Sequence, residues 1–220
     1  MVINKTKNAA SVGDYRPIAI ANFKVKVISK IIADKLAKIT PTFTSIQQRG
    51  FIKGRSIKDC ICLTSEAINL LNNKLFRGNI ALKVDIAKVF DTLDLHFLLK
   101  VLKKFGFNDT LCNWIHSILL SAKLSVSING KFHGYFSFSR GVRQGDPLSA
   151  LHFCLAEQVI SRSLTIQVVN GKLQLIQGTK DFAIPSQFLY DDETMIFCKG
   201  TTSNFNCLKN IFLAYAETSS

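Results

Sequence analysis

The chain has 220 residues, 47% of them hydrophobic, and carries 28 Lys or Arg against 15 Asp or Glu, a net charge of +13. The length fits one sizeable domain, or two small subdomains sharing a core, and the charge points to a polyanionic partner. No apolar run approaches the ~18 residues of a membrane span, and the N-terminus fits neither a secretory signal nor a transit peptide, so an intracellular setting, nucleus or cytoplasm, is expected.

Charge is concentrated early. Residues 1–60 hold twelve Lys or Arg against Asp14, Asp34 and Asp59, which predicts a phosphate-facing first third or a merely solubilising surface. Residues 15–20 read as a short strand. Residues 22–39 place Phe23, Val27, Ile28, Ile31, Ile32, Leu36 and Ile39 at helical spacing among lysines, with Pro41 as the expected stop. The glycine-punctuated basic loop Gly50-Phe51-Ile52-Lys53-Gly54-Arg55-Ser56 follows. It lacks the spacing of a nucleotide-binding P-loop, and Ser56 is placed to cap a helix running to about residue 73. Residues 80–85 form a buried-looking strand that ends on Asp85. Two helices, 95–106 and 110–120, present Leu95, Leu98, Leu99, Leu102 and Phe105 on one stripe and Leu111, Trp114, Ile115, Ile118 and Leu119 on the other, with Trp114 expected in the core. Residues 123–129 and 131–138 form a hairpin around Asn129-Gly130. A long helix spans 147–164, a short strand 172–176, and a last helix 203–216. The six cysteines, at 60, 62, 112, 154, 198 and 207, have no zinc-site spacing and read as reduced thiols.

Three stretches carry chemistry. In Leu189-Tyr190-Asp191-Asp192-Glu193-Thr194-Met195-Ile196-Phe197, three adjacent acids separate two short apolar strands, which predicts a tight hairpin with carboxylates at its tip. Acids can also line such a turn for solvation alone. Asp85, where the strand 80–85 stops, supplies a further carboxylate. A strand-end carboxylate beside an acidic hairpin tip suits two Mg²⁺ ions about 3.5–4 Å apart. The third stretch is Ser139-Arg140-Gly141-Val142-Arg143-Gln144-Gly145-Asp146-Pro147-Leu148-Ser149. Gly145 permits close approach of a ligand, Arg143 and Gln144 can hydrogen-bond it, and Asp146 or Ser149 can cap the helix that follows.

The order of these stretches resembles the reverse transcriptase domain of non-LTR (LINE-type) retrotransposons, most of all the plant elements. Asp14-Tyr15-Arg16-Pro17-Ile18, Gln48 to Ser56, Lys83-Val84-Asp85-Ile86-Ala87-Lys88-Val89-Phe90-Asp91, Gly141 to Ser149 and Phe188-Leu189-Tyr190 carry the resemblance. It implies an α+β fingers–palm fold with a ferredoxin-like antiparallel palm sheet backed by helices, residues 1–79 belonging to the fingers and 80–220 to the palm, with fingers elements interleaved near 95–140. It also implies RNA-directed DNA synthesis with RNA template, DNA primer and dNTPs, using two Mg²⁺ ions, or Mn²⁺ in their place. Asp85, Asp192 and Glu193 would be the metal-binding carboxylates, and the Ile86 carbonyl a further ligand. Phe90 would exclude a 2′-hydroxyl, serve the core, or both. Gln144 and Gly145 would frame the incoming nucleotide, Lys53 or Arg55 would reach its triphosphate, and Arg143 and Tyr190 would touch nucleic acid.

The chain departs from the family pattern in places. The family hairpin reads Tyr-Ala-Asp-Asp, whereas this chain has Tyr190-Asp191-Asp192-Glu193; a one-residue slip using Asp191 and Asp192 would reverse the strand's faces. Val89 stands where the family has Ala, Leu95 where it has Trp, Ala150 where it has Pro and His152 where it has Leu. The family's thumb, endonuclease and RNase H segments have no counterpart in these residues. Weak or absent polymerase activity is therefore expected of this polypeptide.

Overall fold

A computed structural model describes residues 2–4, 15–17, 22–71, 78–86, 89–128, 130–137, 139–176, 184–190 and 193–219. In chain order the elements are β1 (Val2–Asn4), β2 (Tyr15–Pro17), α1 (Phe23–Phe43), α2 (Ile57–Leu71), β3 (Asn79–Asp85), α3 (Val89–Thr92), α4 (Leu95–Lys104), α5 (Asp109–Leu120), β4 (Lys123–Ile128), β5 (Lys131–Ser137), α6 (Ser149–Val169), β6 (Gln187–Tyr190), β7 (Glu193–Lys199) and α7 (Thr202–Ser219). They form two compact units. One comprises Met1–Leu36 with Lys88–Phe153, the other Ala37–Ala87 with Cys154–Ser220, so each is assembled from two stretches of chain.

In the first unit β1 and β2 pair antiparallel, Ile3 opposite Arg16. The β2 segment was legible, whereas its partner β1 sits in a polar stretch with no strand pattern. Asp94 caps α4 by accepting from the Phe97 amide at 2.7 Å, and Asn108 caps α5 by accepting from the Leu111 amide at 2.9 Å. Gly106, at φ +86°, turns the chain between them. The core faces are Leu95, Phe97, Leu98, Val101 and Leu102 on α4 and Cys112, Ile115 and Leu119 on α5. Trp114 is not core: it is 58% exposed. The buried stripe runs at i, i+3 and i+7 from Cys112, and Trp114 stands about 100° away from Ile115 around the helix. The β4–β5 hairpin forms as expected, with Gly130 at φ +77° in its two-residue connection.

In the second unit β3, β7 and β6 make an antiparallel sheet in the order β3-β7-β6. One face carries Ala81, Phe197, Phe188 and Met195 against Cys60, Leu63, Ala67 and Leu71 of α2, together with Ile176 and Ile184. The Phe188 and Phe197 rings meet edge-on at 6.0 Å. Ser56 caps α2 as expected, accepting from the Lys58 amide at 3.2 Å. The other face meets α6, where the Gln187 side-chain amide donates to the Ser161 carbonyl and hydroxyl at 3.0 and 2.7 Å. Several boundaries differ from expectation; the long helix expected over 147–164 runs from Ser149 to Val169. Pro41 does not stop α1, which continues to Phe43; only one turn remains there, and the Thr44 amide and hydroxyl both close it by donating to the Thr40 carbonyl. Residues 172–176 form no strand of their own, only a bridge of Leu175 to Cys198. Asn204 at the start of α7 clamps that segment, exchanging bonds with the Gln174 backbone at 3.0 and 2.9 Å and donating to the Lys199 carbonyl at 2.8 Å. No helix among the described residues is long and apolar enough to cross a membrane, and all six cysteines are free thiols.

Candidate active site

The sheet of the second unit brings its charged strand ends together. Asp85, the last residue of β3, is the direct cross-strand partner of Glu193, the first residue of β7, and Tyr190 at the end of β6 is Glu193's partner on the other side. Antiparallel partners have Cα atoms about 4.5–5.5 Å apart and project side chains to the same face. Lys83, two residues before Asp85, shares that face, and its ammonium reaches Glu193 Oε1 at 2.5 Å. Lys83, Asp85 and Glu193 are all exposed. The two acids opposite each other repel, and the Lys83 charge offsets part of that repulsion. A shallow cavity of about 310 Å³ opens beside them, lined by Lys83, Tyr190 and Glu193 from the sheet and by Ile57, Ile61 and Thr64 from α2.

The register from Tyr190 to Glu193 leaves a two-residue connection, so Glu193 begins the returning strand. Asp191 and Asp192 themselves lie outside the described residues. Ile86, directly after β3, is half-buried. Among the described residues no group of three His, Cys, Asp or Glu stands ready for a metal. Asp85 and Glu193 nonetheless supply two carboxylates at one strand end, a donor type that suits a hard divalent cation.

Behind the hairpin lies a polar cluster that sequence reasoning missed. Glu157 of α6 is fully buried; its Oε2 accepts from Gln48 Nε2 at 2.9 Å and its Oε1 from the Thr194 hydroxyl at 3.5 Å. The loop holding Gln48 runs beside β6. The Leu189 amide donates to the Gln47 carbonyl at 3.1 Å and the Arg49 amide to the Leu189 carbonyl at 2.9 Å. Arg55 fixes this loop, its Nη1 donating to the Ser45 and Gln48 carbonyls at 2.5 and 2.6 Å. Its guanidinium is thus engaged by backbone oxygens, whereas Lys53 on the same loop is exposed. The signal for the cluster was a lone acid in the apolar run Phe153-Cys154-Leu155-Ala156-Glu157. A buried polar side chain requires partners, and Gln48 and Thr194 are two of them.

The glycine-rich loop belongs to the first unit and is braced throughout. The Gly141 amide donates to the Leu93 carbonyl at 2.8 Å. Arg143 is buried, with Nη2 donating to the Ile118 carbonyl at 2.6 Å, and its own carbonyl accepts from the Ser149 hydroxyl at 2.7 Å. Asp146 accepts from the Leu148 amide at 2.9 Å ahead of α6, and from the Ser29 hydroxyl at 3.2 Å. Gln144 donates to Asp91 at 3.1 Å, and Gly145 adopts φ +91°, a conformation that favours glycine. Phe90 falls in α3, but its side chain lies outside the described residues.

A mixed fold with a carboxylate pair at the end of a three-stranded antiparallel sheet, its two acids separated in the chain by a braced glycine loop, fits the polymerase class. Residues 3–219 match the family model for "Reverse transcriptase (RNA-dependent DNA polymerase)", and the chain belongs to that family. It is 27% identical over 143 residues to the "Transposon TX1 uncharacterized 149 kDa protein" of Xenopus laevis, which covers 65% of this chain and 11% of the relative. It is 26% identical over 166 residues to the "Retrovirus-related Pol polyprotein from type-2 retrotransposable element R2DM" of Drosophila melanogaster, covering 76% of this chain and 15% of the relative. The chain thus spans a small part of the length of these relatives. Among solved structures, its fold is similar to telomerase from Candida albicans in complex with a TWJ fragment of telomeric RNA, with a TM-score of 0.57 at 14% identity, covering 86% of this chain and 32% of the other. It is similar also to apo telomerase from Candida tropicalis truncated from its C-terminal domain, with a TM-score of 0.53 at 13% identity, covering 89% of this chain and 38% of the other.

Proposed function

We propose that this reverse transcriptase domain is the fingers–palm part of a LINE-type retrotransposon polymerase, of the plant group by its motifs, and that its hairpin supports RNA-directed DNA synthesis weakly or not at all. Residues 1–79 are read as fingers and residues 80–220 as palm, with fingers elements interleaved near 95–140. The observation that supports this reading most is the pairing of Glu193 with Asp85 on one side and with Tyr190 on the other.

In this reading Asp85, Asp192 and Glu193 hold Mg²⁺ or Mn²⁺ with the Ile86 carbonyl. The metal, when bound, would activate a primer 3′-oxygen and stabilise the departing pyrophosphate. The chain's own residues position the partners. Gln144 and Gly145 frame the incoming dNTP and template base, Phe90 crowds the 2′ position, Lys53 meets the triphosphate, and Tyr190 lies under the primer end. Arg143 and Arg55 act by holding their loops, which is how their bonds to backbone carbonyls read. Glu193 carries one methylene more than Asp, and displacement of a carboxylate by roughly 1 Å can cost about 10²-fold in rate.

A second reading, a basic RNA- or DNA-binding module without catalysis, draws on the Lys83–Glu193 ion pair, which places an ammonium where a cation would compete. Primed dNTP incorporation with and without hairpin repair separates the two.

A further inference from the structure

We propose that the β4–β5 hairpin is a binding site for single-stranded RNA, built as a two-ring stacking platform, and this stands whether or not the second unit catalyses. Every residue of β5 is exposed, and both of its faces carry aromatic rings. Phe132 is 80% and Tyr135 74% exposed. Large rings are seldom left so open on a strand without a partner.

The backbone places these two rings on one face. Three residues apart, Phe132 and Tyr135 would project to opposite faces of a regular strand. The ladder is not regular: Leu124 pairs with Phe136 but Val126 with His133, so β5 has one residue too many between the two pairs. Gly134, at φ +70°, lies in that bulge. Beyond it Tyr135 shares the face of Lys123, whose Nζ stands 5.1 Å from the Tyr135 ring centroid. Phe132 pairs with Ser127, which alternation puts on that face as well. The result is one face with Lys123, Ser125, Ser127, Phe132 and Tyr135, its rings about 7 Å apart along the strand.

Charge selects a nucleic acid over an apolar protein partner. Between Asp109 and Asp146 the sequence contains no acid, while Lys123, Lys131, Arg140 and Arg143 fall in that interval. Lys123, Lys131 and Arg140 are exposed. Exposed rings interleaved with cations suit unpaired bases, which offer π-faces that a duplex hides, and the phosphates between them. The serine hydroxyls beside the rings can both donate to and accept from a 2′-hydroxyl, which favours RNA over DNA.

The test is fluorescence anisotropy of a labelled RNA of about 12 nucleotides, a length within the usual site sizes, titrated with the whole chain. Phe132→Ala and Tyr135→Ala should each weaken binding on the order of ten-fold with the salt dependence unchanged, and Phe132→Tyr and Tyr135→Phe should bind normally. Lys123→Ala should lower the slope of log affinity against log salt by about 0.7. Gly134→Ala, which strains the bulge while keeping both rings, should also weaken binding. Both ring variants should melt like the unmodified protein, because these side chains are exposed. Unchanged affinity in the two ring variants overturns the platform, and equal binding of DNA of the same sequence overturns the RNA assignment. A concentration-dependent dimer abolished by the same two variants, with RNA binding intact, would make the face an interface between copies and also overturn the proposal.

Discussion

Asp85 and Glu193 sit directly opposite each other in the β3–β7 ladder, and the ammonium of Lys83 bonds Glu193 from the same face. Two acids and a lysine therefore share the strand end where the proposed metal site lies. Their proximity makes three competing demands: the carboxylates repel, the lysine neutralises, and a divalent cation would displace it.

Replacing Lys83 exposes that competition. Lys83→Met should change stability by less than about 1 kcal/mol, since both ends of the ion pair are exposed. It should tighten Mn²⁺ binding about two- to five-fold, the gain expected from freeing Glu193 of a pair worth at most about 1 kcal/mol. Electron paramagnetic resonance titration of free Mn²⁺ measures this, and weaker Mn²⁺ binding in the variant would mean that Lys83 orders the carboxylates instead.

Lys53 and Arg55 separate by role although they stand two residues apart. Arg55→Ala removes two hydrogen bonds to the Ser45 and Gln48 carbonyls and should destabilise the protein by about 2 kcal/mol in urea unfolding. Lys53→Ala should leave stability within about 0.5 kcal/mol, as for other exposed side chains, and weaken equilibrium binding of labelled dNTP. If Arg55→Ala leaves stability untouched and abolishes nucleotide binding, the two roles are reversed.

His152 makes the fold sensitive to acid. The ring is 1% exposed and neither nitrogen has a partner among the described residues. Burial pushes its pKa down from 6.5 to about 4. Arg143 and Asp146 line the same cavity of about 10 Å³, room for at most one water. Above pH 6.5 the ring is neutral folded and unfolded, so it adds no pH dependence. As pH falls from about 6.5 to 4 the unfolded chain takes a proton that the folded chain refuses, and stability drops by about 3 kcal/mol. His152→Leu should flatten that drop and raise stability at neutral pH by about 1 kcal/mol or more, read from denaturant midpoints at both ends of the range. An equal pH slope in both proteins would show that His152 has another proton partner.

Much of this was legible in sequence because the signals were local. Short apolar runs marked β3, β6 and β7, helical spacing marked α1, α4 and α5, and Ser56 marked the start of α2. That Asp85 and Glu193 meet was legible because both stand at the ends of apolar runs that pair in the sheet. What was missed depends on partners distant in sequence. The Glu157 network joins Gln48, Glu157 and Thr194 across more than a hundred residues. The exposure of Trp114 turns on which side of α5 meets α4. The structural occupation of Arg55 and Arg143 by backbone carbonyls has no sequence signature, because an arginine on a basic loop reads equally as a phosphate contact. The bulge that aligns Phe132 with Tyr135 is visible only in the strand register.

The most direct test is dNTP incorporation on a poly(rA)–oligo(dT) primer–template with Mg²⁺ and with Mn²⁺. It compares the unmodified chain, a repaired hairpin carrying Asp191→Ala with Glu193→Asp, and that repaired chain with Asp85→Ala. The account predicts little or no incorporation by the unmodified chain, a gain of about 10²-fold on repair, and loss of that gain with Asp85→Ala. Equal activity before and after repair, a repaired activity that survives Asp85→Ala, or silence from a folded repaired protein would each contradict it.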